Sequence, residues 1–262
     1  MWIFVWDNAP SKIFVWDVQA SKVFVWDTQV RPTSTPRTPD ASRTLLYMRF
    51  NNNLNDSSGN NVSVTWGWIG YWTVGNNYYV EKTSTNWQST YIHPTANINS
   101  AIGSWDYTVS FFVYNVPHSW CSGMLFWEWH YQAPFRWIYI LAQDNQEWTS
   151  YNINNQWHNN AWLVLPENAW THIVCTRVNG VCYRYTNWVP IDNYTDSPQP
   201  TPDFSVYPWS EFYLLNRNSS YDWHSWKTYT WAKMSELIFE KVWWSADEVA
   251  TYFGQQRANY WL

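Results

Sequence analysis

HIVCTRVNGVCYRYTNW, residues His172 to Trp188, is the stretch whose reading decides the fold. A run rich in β-branched side chains, His172 to Val178, reaches Asn179-Gly180 and leaves through a second such run, Val181 to Tyr185. Asn-Gly between two runs of this kind is the strongest short hairpin signal. A type I′ turn needs φ > 0 at both central positions, and glycine reaches that region without steric cost. A two-residue turn there sets Cys182 opposite Arg177 and leaves Cys175 diagonal to Cys182, about 7–8 Å away and too far for a disulfide. With an odd total of 3 cysteines, the chain reads as carrying reduced thiols that behave as small hydrophobes.

The stretch ends on a turn with the wrong residue, Asn187-Trp188, and the same displacement recurs at Asn86-Trp87, Ser104-Trp105-Asp106 and Asp222-Trp223-His224-Ser225-Trp226. The chain holds 25 Trp but only 8 Gly in 262 residues, where ordinary usage gives about eighteen Gly. A left-handed backbone costs a residue with a Cβ about 1–2 kcal/mol. Ten or so such sites would consume roughly the whole 5–15 kcal/mol stability of a domain. The pattern predicts a gene from a system that reads UGA as glycine, with Trp6, Trp16, Trp26, Trp87, Trp105, Trp188, Trp223 and Trp226 at glycine positions. The rival reading is a Trp-rich surface selected to stack on sugar rings or bases, which predicts Trp on strands rather than after Asn in turns.

Outward from the hairpin, short β-type runs recur between polar turns: Leu45 to Phe50, Tyr78 to Glu81, Tyr107 to Val116, Trp137 to Ala142, Glu211 to Leu215 and Met234 to Val242. Many short strands with turn clusters between them predict a sandwich. One helix is expected near the C-terminus. Ser245 and Glu248 have capping-box spacing, Val249, Tyr252 and Phe253 share one face, and Gly254 or the residues just after it would stop it. At the other end, residues 1–30 hold a ten-residue repeat, Ile3 to Asp7, Ile13 to Asp17 and Val23 to Asp27. Each copy is a short strand entering a turn, and so small a meander needs other copies or a partner to cover it, which predicts attachment or oligomerisation. Residues 31–43, with prolines at Pro32, Pro36 and Pro39, form a semi-rigid spacer, and residues 44–262 form the main domain.

Composition narrows the function. Charged residues make up 13% of the chain, the formal net charge is −5, and no basic run occurs, which argues against nucleic acid. No stretch of eighteen apolar residues is present, so no membrane insertion is expected. The apolar start, Trp2 to Trp6, lacks a basic region and is interrupted by Asp7, unlike a signal peptide.

Leu45 to Asn60, reading LLYMRFNNNLNDSSGN, resembles the opening strand and loop of the concanavalin A-like lectin/glucanase superfamily, in its laminin G-like and pentraxin-like branch. Later segments follow in matching order. Asp106 to Phe111 resembles the entry strand of the second sheet, Asn168 to Val174 the central strand, Tyr185 to Trp188 the hairpin that usually ends in Asn-Gly, and Lys233 to Val249 the closing strand and terminal helix. The resemblance implies an all-β jelly-roll sandwich with one C-terminal helix. Trp188 departs from the family's glycine, whereas Trp170 and Trp244 stand where the family accepts aromatic residues. Residues Val25 to Pro32 resemble the short N-terminal repeats of phage tail or fibre proteins.

Glucanases of that superfamily carry an E-x-D-x-x-E triplet whose carboxylates attack the sugar and protonate the leaving group. No such triplet occurs, and Glu236 and Glu240 are too widely spaced on one strand face. None of His93, His118, His130, His158, His172 and His224 has metal-ligand spacing. Related jelly rolls often hold calcium, for which Asn53, Asn55, Asp56 and Glu236 supply hard oxygen donors; the alternative is a solvated polar turn. Tyr71, Tyr78, Tyr79, Tyr131 and Tyr151 are candidates for a sugar platform, set against cross-strand packing.

The expectation is a non-catalytic module that binds a surface glycan or protein, as a phage tail or receptor-binding component of a virion. Its partners would be the cell-surface ligand, other tail proteins and further copies of itself, with a trimer implied by the fibre resemblance. A bacterial surface adhesin, placed on the extracellular cell surface, is one alternative. A glycoside hydrolase or lyase of the same fold and a purely structural virion decoration are the others.

Overall fold

The computed structural model describes residues 40–66, 69–82, 92–94, 106–114, 123–129, 139–142, 150–153, 156–158, 166, 168–195, 211–214 and 233–262. The repeats of residues 1–30 and the spacer as far as residue 39 lie outside the described residues, as do Trp6, Trp16, Trp26, Trp87, Trp105, Trp223, Trp226 and Tyr131.

Strands follow one another along the chain: β1 (Thr44–Met48), β2 (Val64–Trp66), β3 (Ile69–Val74), β4 (Asn77–Lys82), β5 (Ile92–Pro94), β6 (Tyr107–Tyr114), β7 (Gly123–Trp129) and β8 (Tyr139–Ala142). After these come β9 (Ser150–Ile153), β10 (Gln156–His158), β11 (Trp170–Val178), β12 (Val181–Thr186), β13 (Val189–Thr195), β14 (Glu211–Leu214) and β15 (Lys233–Glu240). A helix, α1 (Ala246–Gln256), and a short 3-10 turn (Arg257–Tyr260) close the chain. The strands make an eight-stranded sheet, β13-β12-β11-β6-β15-β4-β3 with β1 added on β15, and a seven-stranded sheet, β10-β9-β8-β7-β14-β5-β2. The chain is thus the all-β sandwich with one C-terminal helix that its pattern predicts.

Strand β6 shows why the large sheet is the frame of the molecule. Its first seven residues are all buried, as a central strand covered on both faces must be. Tyr107, Val109, Phe111 and Val113 enter an inner core with Leu46, Met48, Val80, Leu237 and Phe239, and Val62 and Val64 pack against that core. Phe112 faces the other way, into a second cluster with Trp170, Val174, Ile238, Trp244, Tyr252, Phe253 and Tyr260. The C-terminal helix is therefore a lid over the outer face of the sheet. Phe112 and Tyr260 stack there with centroids 3.9 Å apart.

The deciding hairpin has the register its spacing predicts, with Arg177 opposite Cys182 and Val178 opposite Val181. Cys175 and Cys182 are buried free thiols. At the helix start the capping box is complete: the Ser245 hydroxyl accepts from the Glu248 amide and the Glu248 side chain accepts from the Ser245 amide. The helix ends where expected, at the residues just after Gly254: α1 stops at Gln256, and a 3-10 turn follows until Trp261 turns left-handed at φ 57°. The runs missed by pattern include β3, where Gly70 interrupts the β-type run, and β13, an edge strand that carries Pro190 beside a bulge.

Candidate functional site

Strand β15 is the seam on which the functional side chains hang. Along one edge it pairs with β6 throughout, but along the other it pairs first with β4, at Lys233 and Met234, and then with β1, from Leu237 to Glu240. The change of partner falls at a bulge between Ser235 and Ile238, where Glu236 takes φ 52°. One extra residue puts two neighbours on the same side of the sheet. Ser235 bonds the Tyr260 hydroxyl at 2.7 Å, and Glu236 takes hydrogen bonds from the hydroxyls of Tyr47 at 2.7 Å and Tyr252 at 3.0 Å. Glu236 is buried, with Arg49 at 3.9 Å as its nearest cation. Loss of water pushes its carboxyl above the usual carboxylate range, and the two tyrosine donors only partly offset this. Burial and the facing carboxylate push both tyrosine hydroxyls upward, so they remain donors.

The calcium donors do not assemble. Asp56 Oδ1 accepts from the amides of Tyr47 and Ser58, and Oδ2 from the Ser58 hydroxyl and the Val62 amide. Asn53 Oδ1 accepts from the Asn55 amide in an exposed turn. Asp56 and Glu236 hold opposite ends of Tyr47, its backbone amide and its hydroxyl. Asn53, Asn55, Asp56 and Glu236 therefore do not form one donor set for a hard cation. Among the described residues, no group of three or more His, Cys, Asp and Glu is placed to hold a metal ion. Asp56 staples a loop instead, tying residues 58 and 62 to β1.

Of the tyrosine candidates, Tyr71 and Tyr78 are partly buried against the inner core. Tyr151 lies in β9 opposite His158 and Ile140, and its side chain is outside the described residues. Tyr79 faces the other way. Its ring meets Trp170 edge-on at 5.5 Å, Tyr114 does so at 5.6 Å, and the Lys233 ammonium sits 5.1 Å and 4.7 Å over the Tyr79 and Tyr114 rings. The lysine thus caps one face of each ring.

An open concavity among the described residues lies at the other end of the same sheet. Arg43, Asp106, Lys241, Val242, Trp243 and Glu248 line a cleft of about 330 Å³. Four separate segments supply it: the turn before β1, the residue before β6, the exit of β15 and the first turn of α1. Arg43 is anchored at its base, 3.1 Å from the buried Glu240 and 3.8 Å from Glu248. Glu240 also accepts from the Thr44 hydroxyl at 3.0 Å and from the Trp244 indole at 2.7 Å. Asp106 Oδ1 accepts from the Asn179 amide, the first turn residue of the deciding hairpin. The Trp243 indole is 43% exposed beside the cleft, while its neighbour Trp244 is fully buried. Two cations, two carboxylates and one partly exposed indole thus converge on a shallow hollow of mixed polar and apolar lining. These groups offer a ligand paired donors and acceptors and one aromatic face. Sequence reading singled out none of the four charged groups as ligand-binding, since no local motif joins them.

No protein-family model matches the chain, and no curated protein matches it. Solved structures share its fold. The receptor binding domain of botulinum neurotoxin C/D mosaic serotype superposes with a TM-score of 0.61 at 14% identity, over 82% of this chain and 52% of that one. The chain therefore spans about half the length of the toxin domain. Domain 4 of AbnA, a GH43 extracellular arabinanase from Geobacillus stearothermophilus in complex with arabinotriose, gives 0.60 at 19% identity, over 80% of this chain and 98% of that one. Trypanosoma rangeli sialidase with 2,3-difluorosialic acid gives 0.60 at 11% identity, over 86% and 35%. At these identities the likeness is one of fold. Among the described residues, no helix is long and apolar enough to cross a membrane.

Proposed function

We propose that the chain is a non-catalytic binding module that recognises a glycan on a cell surface through the cleft at Arg43, Asp106, Lys241 and Glu248. The observation that carries this reading is the convergence of those four charged groups beside the exposed Trp243 in one open hollow. The fold likenesses support it, since they include a receptor binding domain and a domain in complex with arabinotriose. A hydrolase of the same fold would need a carboxylate pair free to act on the glycosidic bond. Glu236 is held by two tyrosine hydroxyls and Glu240 by Arg43, Thr44 and Trp244, so both act as structural anchors. The N-terminal repeats and proline spacer suit a module displayed at the end of a fibre, and on that ground we assign it to a virion tail that assembles through residues 1–30.

The test is binding of the full-length protein to a glycan array, with Lys241→Ala and Asp106→Ala compared with Tyr79→Phe. Retention of one glycan class, lost in the first two variants and kept in the third, is expected, with no reducing sugar released. Equal retention in all three would remove the cleft, and release of reducing sugar would make the chain an enzyme.

A further inference from the structure

We propose that the codons for Trp188 and Trp261 are UGA triplets that the source organism reads as glycine, so that both positions are glycine in the protein it makes. This inference stands on backbone geometry and does not rest on the binding reading. Nine described residues other than glycine have positive φ: Phe50, Asn52, Asn61, Asn168, Asn179, Asn187, Trp188, Glu236 and Trp261. Asparagine tolerates this region because its short side chain bonds locally. Phe50 and Glu236 are buried, at 1% and 2% exposure, and their surroundings over-determine their conformation. The two tryptophans are the remainder, and their side chains are 43% and 79% exposed.

Both stand where a motif asks for glycine. Trp188 is the second central residue of a two-residue hairpin, after Asn187 at φ 47°, and its own φ is 68°. Trp261 is the left-handed residue that ends a helix. Its amide and that of Leu262 both turn back to the Arg257 carbonyl, as a glycine-terminated helix end does. Trp170 and Trp244 are the contrast. Both are buried without positive φ, and the Trp244 indole donates to Glu240 at 2.7 Å. Tryptophans of the first kind cost conformational energy and expose apolar surface, whereas those of the second kind fill the core. A glycine deficit of about ten residues beside 25 Trp is what replacement of one codon class would produce. In base sequence UGA differs from the glycine codon GGA only at the first position. Trp72 and Trp243 are exposed but have no positive φ, so their backbones do not ask for glycine.

Gene sequencing and peptide mass spectrometry of the protein purified from its source test the proposal together. The expected result is UGA at positions 188 and 261 and UGG at 170 and 244, with native peptides carrying Gly at the first pair and Trp at the second. UGG at 188 or 261, or tryptophan in either native peptide, would overturn it.

Discussion

Two consecutive hairpins of the large sheet are built to one plan with different residues. Asn179-Gly180 joins β11 to β12 with φ values of 50° and 78°, and Asn187-Trp188 joins β12 to β13 with 47° and 68°. Strand twist favours the mirror-image turns, and positive φ at both central residues makes each of these type I′. The turn is imposed by register on both sides, so the residue in second place must conform. Glycine does so freely, and tryptophan carries a left-handed penalty of about 1–2 kcal/mol. The anchors differ too. The Asn179 amide binds Asp106, whereas Asn187 exchanges bonds with His172, its amide donating to the His172 carbonyl and its Oδ1 accepting from the His172 amide. A turn can therefore hold the wrong residue while its flanking strands are secured.

The largest effect comes from applying the hairpin's missing substitution where it does not belong. Trp244→Gly deletes a fully buried indole and its bond to Glu240, and Trp170→Gly empties the ring stack between Tyr79, Tyr114 and Tyr260. Each is expected to lose about 3–5 kcal/mol in denaturant unfolding, in line with large-to-small core changes. A loss below about 1 kcal/mol at both sites would erase the distinction between the two classes of tryptophan.

Acid is expected to separate the hairpins next. His172 is fully buried, stacked on Phe112 at 4.4 Å, with Nε2 on the Ser110 hydroxyl at 2.8 Å and Nδ1 without a partner. Burial drives its pKa from 6.5 down to about 3. The folded value lies below the unfolded one, so the stabilisation is complete above pH 6.5 and is lost as pH falls toward 3. At pH 4.5, two units below the unfolded value, the loss is roughly 2–3 kcal/mol. His172→Phe should flatten unfolding stability between pH 7 and 4.5. In the unaltered chain, amides around Asn187, which is bonded to His172, should lose hydrogen-exchange protection before those around Asn179. Parallel loss in both hairpins, or an unchanged pH slope in the variant, would break the link.

What could be read from the sequence follows from where the information lies. The deciding hairpin, the buried run of β6 and the Ser245–Glu248 box are local patterns, and each is visible within a few residues. The role of Glu236 is hidden. Lys-Met-Ser-Glu-Leu-Ile-Phe-Glu breaks alternation at Ser-Glu, but the hydroxyls that make a buried carboxylate tenable come from Tyr47 and Tyr252, 189 and 16 residues away. The cleft is hidden for the same reason, as Arg43, Asp106, Lys241 and Glu248 meet only once β1, β6, β15 and α1 are packed. The left-handed stop beyond the helix is hidden differently. Gly254 marks the end of α1, which stops just after it at Gln256, but no glycine marks the left-handed Trp261 that closes the 3-10 turn beyond.

The smallest effect bears most directly on the two hairpins. Trp188→Gly removes the left-handed penalty and a partly exposed indole together. Gly180→Ala installs the same penalty in the sister turn, where φ is 78°. The first variant is expected to gain, and the second to lose, about 1–2 kcal/mol in denaturant midpoint at unchanged m-value. Greater unfolded-state freedom of glycine trims both the gain and the loss by a few tenths up to about 1 kcal/mol. Adding Trp261→Gly to Trp188→Gly should give the sum of the separate effects, because the two turns share no partner among the hydrogen bonds described and distant sites add. If Trp188→Gly destabilises the protein, the indole makes a contact worth more than its backbone strain. The second hairpin would then be a place where tryptophan was selected, and the likeness between the two turns would stop at their geometry.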